Sequence, residues 1–376
     1  WSQKRAEPVL GNLFGAGKGD KRVLFNQWTN VTSTTVTVSG GTVYGSVFGG
    51  GEDGHVLGDA ETTISGASTV IGTLGTTGYD GNVFGGGRGS YTALTAGVVC
   101  GNVNLNIENG YMKGSVYGGG RLASVGTHLA KIDQEDYYGR IISDGKQQII
   151  GEDDVDADVT HGHITIVISG GTIGAVKDGR VLTSQYSIGD VFGGCKGTTE
   201  GTILEKLGNA KSTVVNLLGG TVGNSIYGGG EVGFVGERGL IDAPETAFAK
   251  VNLLGGSVKN VYGGGLGLKD GVGGAQTNAP ALVRGNVKVN LNGLEPDDYN
   301  STIHSSFVTD FNEDGNEGVD FYRVNNRVDG CVVTGNIFGC NNVNGTPEGH
   351  AKLHVYMTTP VSRQLPEPGQ TSDNYD

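Results

Sequence analysis

The chain has 376 residues, 71 of them glycine, and a formal charge of −13. With only 8 prolines and no Gly-X-Y register, collagen is excluded. The acidic balance and the lack of a Lys/Arg cluster argue against nucleic acid or an anionic membrane as partner. No run approaches the ~20 apolar residues of a membrane-spanning helix.

Residues 1–10 are a polar lead-in, followed by GNLFGAGK at 11–18. The same eight-residue phrase returns as GSVFGGGE (45–52), GNVFGGGR (81–88), GSVYGGGR (114–121), GDVFGGCK (189–196), NSIYGGGE (224–231), KNVYGGGL (259–266) and GNIFGCNN (335–342). An aliphatic residue precedes an aromatic each time: Leu13-Phe14, Val47-Phe48, Val83-Phe84, Val116-Tyr117, Val191-Phe192, Ile226-Tyr227, Val261-Tyr262 and Ile337-Phe338. A small polar residue stands just upstream: Asn12, Ser46, Asn82, Ser115, Asp190, Ser225, Asn260 or Asn336. Aromatic-to-aromatic spacings are 34, 36, 33, 75, 35, 35 and 76 residues. One supersecondary unit therefore recurs, and at two places there is either a degenerate unit or an inserted excursion. Such a unit cannot bury its apolar side alone, so stacked neighbours must complete the core.

The first motif has no clear strand before it and reads as a partial or capping unit. TTVTVSGGTVYGSVFGGG (34–51) is the cleanest unit, with period-2 alternation interrupted at Gly40-Gly41 and Gly45. That pattern predicts very short strands joined by tight turns. It recurs at 103–120, 164–176, 214–230 and 251–265, with a shortened copy at 287–293. Within the first long gap, LAKIDQEDYYGRII (129–142) carries a short-helix signal. The second gap, 294–334, reads as a long polar loop. AKLHVYM (351–357) reads as a closing strand, and 358–376, with Pro360, Pro366 and Pro368, as a linker or tail.

These motifs resemble the glycine-rich VYGGG-type repeats of large secreted bacterial surface proteins. More distantly they resemble parallel β-helices of the autotransporter-adhesin and pectate-lyase-like kind. The resemblance covers roughly 11–357; Asn224 and Lys259 depart from the leading glycine, and Cys195, Cys340 and Asn341 interrupt the glycine run. The expected fold is all-β: a right-handed parallel β-helix or β-solenoid of ~35-residue units over 1–357, with excursions at about 121–160 and 294–334. The aliphatic position should point inward, with rungs ~4.8 Å apart. Phe and Tyr interchange, so the ring edge is expected at solvent or a loop, since a buried phenol needs a hydrogen-bond partner.

Two acidic stretches are candidate metal sites. In DFNEDGNEGVD (310–320), Asp310, Asn312 and Asp314 with Gly315 resemble the first half of an EF-hand or dockerin-type calcium loop, with Asn316 and Asp320 completing the candidate set. The departure is Phe321, which occupies the twelfth position of that loop. Asp154, Asp156 and Asp158 alternate, so an extended chain places them on one face. Four cysteines allow three pairings, and the nearness of Cys331 to Cys340 favours that disulfide.

The functional expectation is a non-enzymatic extracellular or cell-surface protein, structural or adhesive, as in a segment of a surface fibre. Structural calcium, self-association head to tail and a surface glycan are the expected cofactor and partners. The alternative is a carbohydrate-active β-helix, either a lyase or a glycan binder.

Overall fold

The computed structural model describes residues 11–20, 29–72, 81–91, 96–126, 161–174, 189–199, 207–236, 247–273, 275, 277–325 and 330–358, and the backbone of the strands Leu129–Lys131, Tyr137–Ile141, Gln147–Gly151, Val176–Lys177 and Arg180–Val181. Asp154, Asp156, Asp158 and most of the tail lie outside the described residues.

The alternating Val/Thr/Ile segments form eight strands of five or six residues: Thr34–Val38, Ala60–Ile64, Val103–Ile107, His163–Ile168, Ser212–Leu217, Ala249–Leu253, Val287–Leu291 and Ala351–Val355. They stack in that order as one parallel sheet, in register. Alternation puts Val103, Leu105 and Ile107 in the core and Asn104 outside. A second parallel sheet carries two rows of shorter pairings. One row passes through Val43, Ile71, Met112, Ile173, Val222, Val258 and Val333. The other is the motif itself, from Leu13-Phe14 to Ile337-Phe338. A third row of single bridges runs Val31, Val56, Val99, Val125 and, one rung further, Ala210, Val235, Val283, Pro347. The chain is a β-solenoid.

Each unit makes one rung. The two long spacings skip nothing, because Val116 pairs directly with Val191 and Val261 with Ile337. The extra residues leave the stack at corners and return in register. In the first excursion the expected helix is instead strand: Leu129–Lys131, Tyr137–Ile141 and Gln147–Gly151 pair as an antiparallel meander. The second excursion is no open loop. Gly293–Leu294, Val308–Phe311 and Phe321–Val324 form an antiparallel sheet, with a one-turn helix Ser301–His304 capped by the Asn300 side chain. Its Leu294, Val308 and Val324 pack on Leu218 and Leu254, the second leucines of the two LLGG turns, and so cover the long-strand face.

The aliphatic motif residues Val47, Val83, Val116, Val191, Ile226 and Val261 are fully buried in the main core. The aromatics correct the expectation of a solvent-reaching ring. Phe48, Phe84, Tyr117, Phe192 and Tyr227 are buried in a second apolar column beside the core. Adjacent strand residues point to opposite sides, and here both sides are covered. From Phe14 to Phe338 the eight rings stack face to face, with centroids 4.6–5.0 Å apart and planes within 5–14°.

The glycine after the ring is sterically required. A Cβ on Gly85 would lie well inside contact distance of the Gly118 carbonyl of the next rung and of Val103. Gly85→Ala is therefore expected to lower stability by about 1–3 kcal/mol through forced displacement of packed backbone. Chemical denaturation checks this; an unchanged midpoint would mean the rungs are not held at this spacing.

Candidate functional site

The small polar residue upstream of each ring is a stair. The Asn12 side-chain Oδ1 accepts the Ser46 N–H at 2.8 Å, Ser46 Oγ accepts the Asn82 N–H, and Asn82 Oδ1 accepts that of Ser115. Ser115 Oγ accepts the Asp190 N–H, Asp190 Oδ1 that of Ser225 at 3.0 Å, and Asn260 Oδ1 that of Asn336 at 3.1 Å. In these six steps the side chain satisfies a corner amide of the next rung, and in the four central ones that amide is a buried donor that would otherwise be left without a partner. The repeat of Asn and Ser in the sequence signals this role.

Asp190 is the one acid on the stair, and it is 3% exposed. Burial pushes its carboxyl up to about 8, with the Glu231 carboxylate adding to the shift, against the bonds from Ser225 and Asn224. Beside it the ring column carries a polar knot. Tyr117 Oη donates to Glu231 Oε2 at 2.5 Å, and Lys196 Nζ donates to the same oxygen at 2.7 Å and to Tyr117 Oη at 3.2 Å. Tyr117 and Glu231 belong to motifs two rungs apart. The same relation joins Tyr227 Oη to the amide of Asn342, at 2.9 Å. Burial, then Glu231, push the Tyr117 phenol well above its ordinary value. These groups are closed on one another, which suits fastening. Further down the column Arg88 pairs with Glu52 at 2.5 Å and Asp53 at 3.4 Å. With both ring faces taken by neighbours, the interior of the column offers no platform on which a sugar could stack.

A second polar cluster lies under the second excursion. Asn216, Asn252 and Asn290, outward residues of three successive long strands, form an amide ladder with Nδ2···Oδ1 distances of 2.9 Å. Asp298, its side chain fully buried, caps the ladder by accepting from Asn290 Nδ2 at 2.9 Å and Lys288 Nζ at 2.7 Å, and Lys250 Nζ lies 2.9 Å from its other oxygen. Burial alone would raise the Asp298 carboxyl, but Lys288, Lys250 and Asn290 outweigh it and hold it below the ordinary range. Lys352 and Lys288 also engage Glu295. At the far end His304 Nε2 meets Asn216 Oδ1 at 2.9 Å while Nδ1 accepts the Asn300 N–H at 3.0 Å. Both ring nitrogens are occupied by a neutral imidazole, and burial lowers its pKa to about 4. The repeated VNL triplet is the sequence signal for this ladder, which the strand pattern alone did not separate from ordinary outward Asn.

The predicted calcium residues sit on an exposed hairpin between Val308–Phe311 and Phe321–Val324. Asn312 Oδ1 accepts the Gly315 N–H, Asp314 accepts from the Asn316 backbone at 2.9 Å and its amide at 2.6 Å, and Asp320 accepts the Glu313 N–H. The Asn312 amide donates inward, to Asn316 O and Gly318 O. Asp310 lies on the strand opposite Tyr322. The loop thus closes through its own side chains, and among the described residues no group of three or more His, Cys, Asp or Glu is placed to hold a metal. The Cys331–Cys340 disulfide is not formed, and all four cysteines are free thiols. Cys331 faces the core with its N–H on Asn292 Oδ1, whereas Cys340 follows the ring two corners on, in another row of the rung. Burial pushes the Cys331 and Cys195 thiols up to about 12.

Comparison with family models, with curated protein sequences and with solved structures returned no match.

Two pH effects follow. Asp190 is held neutral in the fold, so its contribution is full below the ordinary carboxyl value and is lost as pH rises toward about 8. Asp190→Asn keeps the Oδ1 acceptor, as Asn82 does in its own rung, and should raise stability at pH 7 by on the order of 2 kcal/mol. The gain should shrink toward pH 4 in parallel denaturation curves; a destabilised variant at pH 7 would contradict a neutral Asp190. His304 acts in the opposite sense. Its stability is present above pH 6.5 and is lost as pH falls toward about 4, because only the unfolded chain takes up the proton readily. Amide exchange over 293–325 should quicken across that window, while exchange in the stacked rungs does not follow.

Proposed function

We propose that this protein is a non-enzymatic structural repeat module of the cell exterior, part of an adhesive or fibrous surface element. The observation that carries this reading is the unbroken register of eight rungs. Rings, stair residues and core aliphatics all repeat at the strand spacing, so nearly every recurrent feature of the sequence serves stacking. Such a stack resists bending and local opening, because a rung can loosen only by breaking contacts with both neighbours. The secreted-surface resemblance of the VYGGG motif supports placing it outside the cell.

The test is made on cells that produce the protein. Antibody raised against the purified chain should label intact cells, and deletion of the gene should weaken adhesion or the surface layer without loss of a catalytic activity. Labelling that requires lysis, or turnover of a polysaccharide by the purified chain, would overturn the proposal.

A further inference from the structure

Seven steps of 4.6–5.0 Å make a column only about 34 Å long, comparable with the width of a small domain. We infer that the two ends of the solenoid bind each other head to tail, the first motif of one copy stacking on the last motif of another. This rests on the structural reading above and names its partner: a second copy of this chain.

Four observations point to it. The last rung exposes ladder residues: Phe338 (44%), Leu353 (44%) and Val355 (46%). Their counterparts one rung inward, Val289 and Leu291 beneath Leu353 and Val355, are 0% and 8% exposed. At the other end the half-rung 11–18 carries a complete motif, and the Phe14 ring has Phe48 on one face as its only described stacking partner.

The glycines supply the second observation. At three of the motifs that open with glycine, a Cβ would strike the rung before it: on Gly45 it would lie 2.6 Å from Asn12 Oδ1, and on Gly114 and Gly335 it would lie 2.5 Å from Asn82 Oδ1 and Asn260 Oδ1. Gly11 opens the first motif, yet a Cβ there meets nothing within 4 Å. At the far end, a Cβ on Gly339 would come no closer than 3.7 Å to Leu353 Cβ, whereas its counterparts abut the carbonyl of the following rung, that of Gly263 being the carbonyl of Gly339. Both end glycines thus lack the steric need met at their counterparts. Stacking Gly11 over Gly335-Asn336 of a second copy supplies that need at both ends at once, because Gly339 then lies under the partner copy's Gly15.

Third, the stair continues across the joint. Asn336 Oδ1 would accept the Asn12 N–H of the next copy, as Asn260 Oδ1 accepts that of Asn336. Fourth, the tyrosines of the column pair with the residue closing the motif two rungs on: Tyr117 with Glu231, and Tyr227 with Asn342. Among the described residues nothing hydrogen-bonds the Tyr262 hydroxyl. Counting two rungs on from Tyr262 crosses the joint and arrives at Lys18 of the second copy. A contact of this kind joins two different surfaces, so it propagates as an open filament.

The experiment is sedimentation velocity of the full chain over a range of concentration, with electron microscopy of the concentrated sample. Wild type should form end-to-end oligomers with a step of one solenoid length. Gly11→Ala and Gly339→Ala place a methyl where the isolated chain has room, so each should keep the wild-type melting temperature at dilutions where the chain is monomeric. Each should also lose the oligomers. A wild type that stays monomeric at every concentration would overturn the inference, as would oligomers indifferent to both substitutions. Neither result touches the surface-labelling test, and intracellular labelling would not explain loss of assembly in the alanine variants.

Discussion

Everything in this molecule is subordinate to the distance between neighbouring parallel strands. Backbone hydrogen bonding fixes that step near 4.8 Å, and each recurring residue is one that tolerates a copy of itself at that separation. Flat rings do so by facing one another, and the 4.6–5.0 Å centroid spacing comes within a few tenths of the backbone step. Val and Ile do so by filling the width of the core without reaching along the axis. Glycine does so where two backbones would leave no room for a methyl, and Asn or Ser does so by handing an oxygen to the next amide. Each ring pair adds about 0.5–1.5 kcal/mol beyond its burial, so the seven contacts together are comparable with the whole stability of an ordinary domain.

The step also explains where insertions are allowed. A residue added within a rung would shift every side chain beyond it to the wrong face. Residues added at a corner leave both flanking strands in place, and the entropy of closing a longer loop grows only slowly with length. The second excursion goes further and anchors itself. Leu294, Val308 and Val324 meet the spare leucines of the LLGG turns, and Asp298 and His304 meet the two ends of the Asn ladder. The single-turn helix would have little stability alone; it holds because its His304 is buried against the sheet.

Much of the architecture was legible in the sequence. Motif spacing located the rungs, alternation located the long strands, and the aliphatic-aromatic pair located the ladder row. The side to which the rings point was not legible, because a two-residue strand with both faces buried has no polar residue to mark the outside. Freedom to exchange Phe and Tyr suggested exposure; the structure instead supplies partners at the buried phenols of Tyr117 and Tyr227, from motif residues two rungs away in space and more than a hundred in sequence. Residues 129–142 carry charge and apolar residues at spacings that suit a helix, yet Tyr137–Ile141 has paired neighbours on both sides and is strand. Nearness in sequence also misled for Cys331 and Cys340, since nine residues of this fold turn from one row of the rung to another.

A stack of near-identical rungs has a specificity problem. Rings, valines and glycines fit equally well after a slip of one rung, so apolar packing alone does not choose the register. The unique polar groups do. Asp190 has its Asn224 partner in one rung only, and the Tyr117–Glu231–Lys196 knot closes only when three particular motifs stand in sequence. Asp298 reaches Lys250 and Lys288 only if those two strands are neighbours. A slip leaves each of these groups buried without its partner, a penalty of several kcal/mol apiece. Their clustering in the middle and C-terminal rungs, away from the uniform Val-Phe-Gly rungs at the start, assigns them a second role beside cohesion. They fix which rung lies on which while the rest of the sequence leaves that choice open.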